Sequence, residues 1–125
     1  MSGVARKRIL IVDDEEVIRE FLSEVLGEDY DVSAARDGDE AIEVLGKERF
    51  DLVITDLKMP KVPGDQVVKF VHDQHPDVPV IVISGHSSLY TASQSASHGA
   101  SGFLAKPFTI ADLTKTVDET LGSHA

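Results

Sequence analysis

Three aspartates, a serine and a lysine stand at the ends of apolar runs in this sequence, and their chemistry suits phosphoryl transfer. Asp13 and Asp14 follow "RILIV", Asp56 follows "LVIT", Ser84 closes "VPVIVIS" and Lys106 follows "GFLA". Each has a plainer use. Aspartates at such positions begin helices or turns, a serine caps a helix, and a lone lysine sits on the surface. Jointly they imply more, because clustered carboxylates raise one another's pKa unless a cation lies between them. Magnesium suits such a cluster, since it takes oxygen ligands, uses few carboxylates and keeps several waters. Adjacent Asp13 and Asp14 then serve as metal ligands, one directly and one through water. Asp56 can touch the metal with one oxygen and attack phosphorus with the other, which gives an acyl phosphate. The metal and Lys106 would neutralise the phosphoryl oxygens, while Ser84 hydrogen-bonds one of them.

These residues can meet only if the elements carrying them are neighbours. Five apolar runs read as strands: 8–12, 31–35, 51–55, 78–84 and 102–105. Their near-continuous Val, Ile and Leu suit parallel strands covered on both faces. Helical periods alternate with them. Val17, Ile18, Phe21, Leu22, Val25 and Leu26 form one stripe, closed by Gly27. Ala41, Ile42 and Leu45 form a second, between Asp37-Gly38 and Gly46, and Val67, Val68 and Val71 a third before Pro76. A polar segment, 86–98, reads as a fourth helix with a thin apolar face. The last carries Ile110, Leu113, Val117 and Leu121 behind a Thr109 cap. Such alternation predicts an α/β fold with helices on both faces of a parallel sheet, and ligands bind beyond the carboxyl ends of its strands.

Bulk properties exclude several functions. The chain has 125 residues, 42% hydrophobic and 27% charged, which suits one globular domain. Its net charge of −10, from 22 acids and 12 bases, is wrong for gripping a phosphate backbone, so no direct nucleic-acid binding is expected. No apolar run is long enough to span a membrane, and the run after the basic N-terminus is too short for a signal peptide. Cysteine is absent, which agrees with a cytoplasmic location.

At "ILIVDDE" (9–15), "DLVITDLKMPKVPG" (51–64), "VIVISG" (80–85) and "GASGFLAKPF" (99–108) the chain closely resembles the receiver domain of bacterial two-component response regulators. The resemblance covers about 8–121 and implies a single receiver domain over 1–125. It implies a doubly wound, flavodoxin-like sheet of five strands in the order 2-1-3-4-5 with five helices; a chemotaxis receiver is a standing example of that order. By the same resemblance Asp56 is the phosphoacceptor, and Asp13, Asp14, Asp56 and the backbone carbonyl of Lys58 hold Mg2+. Ser84 and Lys106 contact the phosphoryl group, Ser84 and Phe103 form the switch, and the Lys106–Pro107 bond is cis. The implied donor is a sensor histidine kinase or phosphotransfer protein. The implied response is a change at the face of helix four, strand five and helix five, which acts on an output domain or partner protein or forms a homodimer.

Two alternatives remain from different classes. A Mg-dependent phosphatase-like enzyme also uses an Asp nucleophile but generally wants a second acid two residues later, where this chain has Lys58. A degenerate receiver acting only as a binding module would have lost part of the Asp, Ser and Lys set. Lys58 and His86, each two residues beyond a key position, are expected to set the acyl phosphate's lifetime, and helix four is expected to be the most mobile helix.

Overall fold

The structure, a computed structural model, describes residues 6–57, 64–85 and 99–123. Strands β1 (Arg8–Val12), β2 (Asp31–Ala35), β3 (Leu52–Asp56), β4 (Val80–Gly85) and β5 (Gly102–Lys106) form one sheet in the order β2-β1-β3-β4-β5. Every neighbouring pair is parallel. Four helices are described: α1 (Glu16–Leu26), α2 (Gly38–Lys47), α3 (Gly64–Gln74) and α4 (Ile110–Ser123). The segment expected as helix four, 86–98, lies outside the described residues, so α4 here is the fifth helix of the sequence expectation.

Alternation along the strands sorts their side chains to two faces. Leu10, Val12, Val53 and Val82 point to one side and pack with Ala41 and Leu45 of α2 and Val67, Val68 and Val71 of α3. Ile9, Ile11, Leu52, Ile54, Ile81 and Ile83 point to the other, against Leu22 and Leu26 of α1 and Leu113, Val117 and Leu121 of α4. Both faces of the central strands are therefore covered, as their unbroken apolar composition requires.

Helix starts are fixed by short-range chemistry. The Asp37 side chain accepts a hydrogen bond from the Glu40 N–H at the head of α2. At α4, Thr109 Oγ1 accepts from the Asp112 N–H and the Asp112 carboxylate accepts from the Thr109 N–H. That reciprocal pair satisfies two helix-end donors together. Gly46, expected to follow the second helix, lies inside it: the helix runs on to Lys47, and the Glu48 N–H still bonds the Val44 carbonyl.

Three residues of the expected apolar stripes are not core. Val17 is 74% exposed, Phe21 36% and Ile110 53%. In α1 the inner face is filled by Leu22 and Leu26, with Ile18 and Val25 packed beside them. Positions 17 and 21 fall about 100° round the helix from 18 and 22, which carries them past the edge of the buried stripe.

Candidate functional site

The carboxyl ends of β1, β3, β4 and β5 form one rim, and register places its residues. Val12 pairs with Thr55, so Asp13 and Asp56 each stand one step further along neighbouring strands. Asp56 pairs with Ile83, which leaves Ser84 one residue beyond it on β4, and Gly85 pairs with Lys106. The sheet order thus gathers Asp13, Asp14, Asp56, Ser84 and Lys106 at one end. Phe103 lies further back on β5, half-buried and opposite Val82.

Burial differs among them. Asp13, Asp56 and Ser84 are buried, Lys106 is half-buried, and Asp14 is exposed. One carboxylate oxygen from each of Asp13, Asp14, Glu15 and Asp56 lies within 4.8 Å of all the others. Lys106 Nζ stands 3.8 Å from Asp56 Oδ1 and 3.9 Å from Glu15 Oε1, too far for a hydrogen bond to either. The Ser84 hydroxyl donates to the Gly85 carbonyl at 3.4 Å, a long bond that a better acceptor would readily displace. The Lys106–Pro107 peptide bond is cis.

Asp13 is the most constrained of the set. Its Oδ1 accepts from the Glu15 N–H at 2.8 Å, and its backbone carbonyl accepts from Arg19 Nη1 at 2.8 Å. Its Oδ2 is buried and has no hydrogen-bond partner among the described residues. Burial pushes the carboxyl up from the ordinary 3.8 to about 6. The Glu15 N–H and Lys106 pull the other way, while the charges of Asp56 and Asp14 add to the rise. An orphaned, buried carboxylate oxygen facing other carboxylates is an oxygen-donor set short of a cation. The residues present therefore fit a hard divalent ion such as Mg2+.

Two residues at this rim carry contacts that the sequence alone did not assign. Glu15 was visible only as the third acid of a run, and Arg19 as a helix residue. The shared lysine appears once β4 sets β5 at the same rim as β1 and β3, and the bond to the Asp13 carbonyl once α1 folds back against the end of β1. Lys58 and His86 lie outside the described residues.

Comparison with known proteins places the chain in a family. The family model described as the response regulator receiver domain matches residues 9–118. The chain belongs to that family. It is 40% identical over 119 residues to the response regulator protein PilR of Pseudomonas aeruginosa, covering 94% of this chain and 27% of PilR. With the transcriptional regulatory protein GlrR of Escherichia coli it shares 33% identity over 118 residues, again 94% of this chain and 27% of the relative. The chain thus spans about a quarter of the length of these curated relatives. Among solved structures, a CheY-like receiver domain protein from Methanospirillum hungatei superposes with a TM-score of 0.89 at 30% identity, covering 96% of this chain and 97% of that one. The chemotaxis protein CheY4 of Vibrio cholerae gives 0.85 at 34%, covering 93% and 99%. As in these relatives, the framework is that of a response-regulator receiver domain.

Proposed function

We propose that residues 1–125 act as one receiver domain, with a core over about 8–121, that takes a phosphoryl group onto Asp56 in a Mg2+-dependent reaction. The observation that carries this is the placement of Asp56, buried at the end of β3, in one cluster with the carboxylates of Asp13 and Asp14 and 3.8 Å from the Lys106 ammonium. Asp13, Asp14 and Asp56, with the Lys58 carbonyl, would hold Mg2+, which when bound neutralises charge on phosphoryl oxygens. The chain's own groups do the rest. Asp56 supplies the attacking oxygen, and Lys106 pairs with the charge that accumulates on the transferred group. Ser84 releases the Gly85 carbonyl and donates to a phosphoryl oxygen instead. The domain catalyses its own phosphorylation and dephosphorylation and no reaction on other substrates.

The phosphodonor is a sensor histidine kinase or phosphotransfer protein, and the setting is cytoplasmic; among the described residues no helix is long and apolar enough to cross a membrane. Val17 and Ile110, exposed in the first turns of α1 and α4, and Phe21, one turn further along α1 from Val17, offer that donor an apolar surface. Movement of Ser84 and Phe103 then alters β5, α4 and the segment 86–98 between β4 and β5, a local charge event acting on a two-state element. That face acts on an output domain or partner protein, or on a second copy of the chain.

Mass measurement after incubation with Mg2+ and acetyl phosphate tests the reaction. The expected result is one added phosphate, absent in Asp56→Asn. Repeated turnover of external phosphoesters would indicate a phosphatase instead, and no label would indicate a binding module. For the donor surface, Val17→Ser with Phe21→Ser should slow transfer from a phosphohistidine protein at least tenfold more than transfer from acetyl phosphate. Equal effects on both donors would remove the surface from the account.

A further inference from the structure

Lys106 has two carboxylates at almost the same distance, and only one of them, Asp56, belongs to the proposed reaction. The other is Glu15, whose Oε1 is 3.9 Å from Nζ against 3.8 Å for Asp56 Oδ1. Glu15 occupies the position before α1, and its carboxylate makes no capping hydrogen bond there, which leaves it free to face the lysine. Its peptide N–H instead donates to Asp13 Oδ1. One residue therefore touches both sides of the rim, with its backbone on a buried acid and its side chain facing the lysine.

We propose that Glu15 is a positioning residue that shares Lys106 with Asp56 and so restrains phosphoryl transfer. This rests on the assignment of Asp56 as acceptor. With two carboxylates flanking it at non-bonded distances, the ammonium is held between them rather than committed to either. In transfer from acetyl phosphate, an Asp56 oxygen forms the new O–P bond while the bond from phosphorus to the acetyl oxygen breaks, and acetate leaves with the electron pair. The phosphoryl group then adds negative charge on the Asp56 side of Lys106. To follow that charge, the ammonium must leave Glu15, whose carboxylate loses its cation. Glu15 thus opposes the step in which Lys106 is needed most. Its side chain is 61% exposed, so solvent screening limits the effect to roughly twofold to fivefold, the range of a surface ion pair.

The test uses Glu15→Gln, which keeps size and removes charge, alone and combined with Lys106→Met. Labelling by acetyl phosphate at subsaturating concentration is followed by mass, and the Lys106 Cε resonance is followed by NMR without metal or donor. The expected result is labelling roughly twofold to fivefold faster in Glu15→Gln, a gain that vanishes in the Lys106→Met background, and a shifted Lys106 Cε signal. A gain that persists in Lys106→Met means direct repulsion of the donor and overturns the sharing. Slower labelling with much weaker Mg2+ binding by calorimetry makes Glu15 a metal ligand and also overturns it. An unmoved Lys106 signal does the same, whether or not labelling occurs. Failure of the wild type to label would instead remove Asp56 as acceptor, while the NMR arm still decides whether the lysine is shared.

Discussion

The two ends of the sheet handle charge in opposite ways. At the amino ends of the strands, Arg8 is enclosed by partners. Its guanidinium bonds the Glu48 carboxylate and the Arg49 carbonyl, lies 3.8 Å from Asp31 and stacks 4.8 Å above the Phe50 ring. Its backbone N–H donates to the Asp51 carboxylate at 2.7 Å, and the Asp51 N–H returns a bond to the Arg8 carbonyl. At the carboxyl ends, four carboxyl groups crowd together, one buried oxygen has no hydrogen-bond partner among the described residues, and Lys106 stands between two acids. A cavity of about 600 Å³ opens at the amino end, bordered by Arg8, Arg49, Phe50 and His75. Balanced charge there holds strands and loops together. Unbalanced charge at the other rim fits the cation and phosphoryl group proposed for it.

Changes at the two ends should therefore differ in sign. Arg8→Ala removes two ion pairs, a charged hydrogen bond and a cation–π contact, and should destabilise the fold by about 2 kcal/mol by chemical denaturation. That loss should be the same with and without Mg2+; a loss that changes with Mg2+ would break the distinction between the ends.

Acidification probes the opposite rim with a smaller effect. Asp13 titrates near 6 in the folded protein and near 3.8 when unfolded, so between those values the folded state binds the extra proton. This contribution to stability is present at low pH and is lost as pH rises through about 6. Metal-free protein should accordingly gain about 1 kcal/mol from this group between pH 7 and pH 5, as read by urea midpoints. The same series on Asp13→Asn should lack that gain. An unchanged slope in the variant would assign the pH dependence elsewhere.

Much of this contrast was legible in the sequence, and the limits are physical. Strands β1 and β2 coincide with the expected runs 8–12 and 31–35, and the others shift by one or two residues, because branched apolar runs bounded by polar residues mark buried strands sharply. The strand order came from the family resemblance, and it is the order that brings Asp13 and Asp56 side by side. Helix faces were less legible. Val17, Phe21 and Ile110 belong to the same hydrophobic periods as core residues, and only packing decides where a stripe stops. Glu15 and Arg19 were not assigned because their partners, the Lys106 side chain and the Asp13 carbonyl, become neighbours only in the folded chain. Distances across a sheet are not written in local composition.

The most direct test of the central claim is thermal or urea unfolding of wild type and Asp13→Asn, each with and without Mg2+ at pH 7 and with no phosphodonor. Without metal, Asp13→Asn should be the more stable protein by about 2 kcal/mol, because an uncompensated buried charge has gone. Mg2+ should then stabilise the wild type and leave Asp13→Asn nearly unmoved. A wild type that is already the more stable form without metal and gains nothing from Mg2+ would contradict the claim that this rim is built short of a cation.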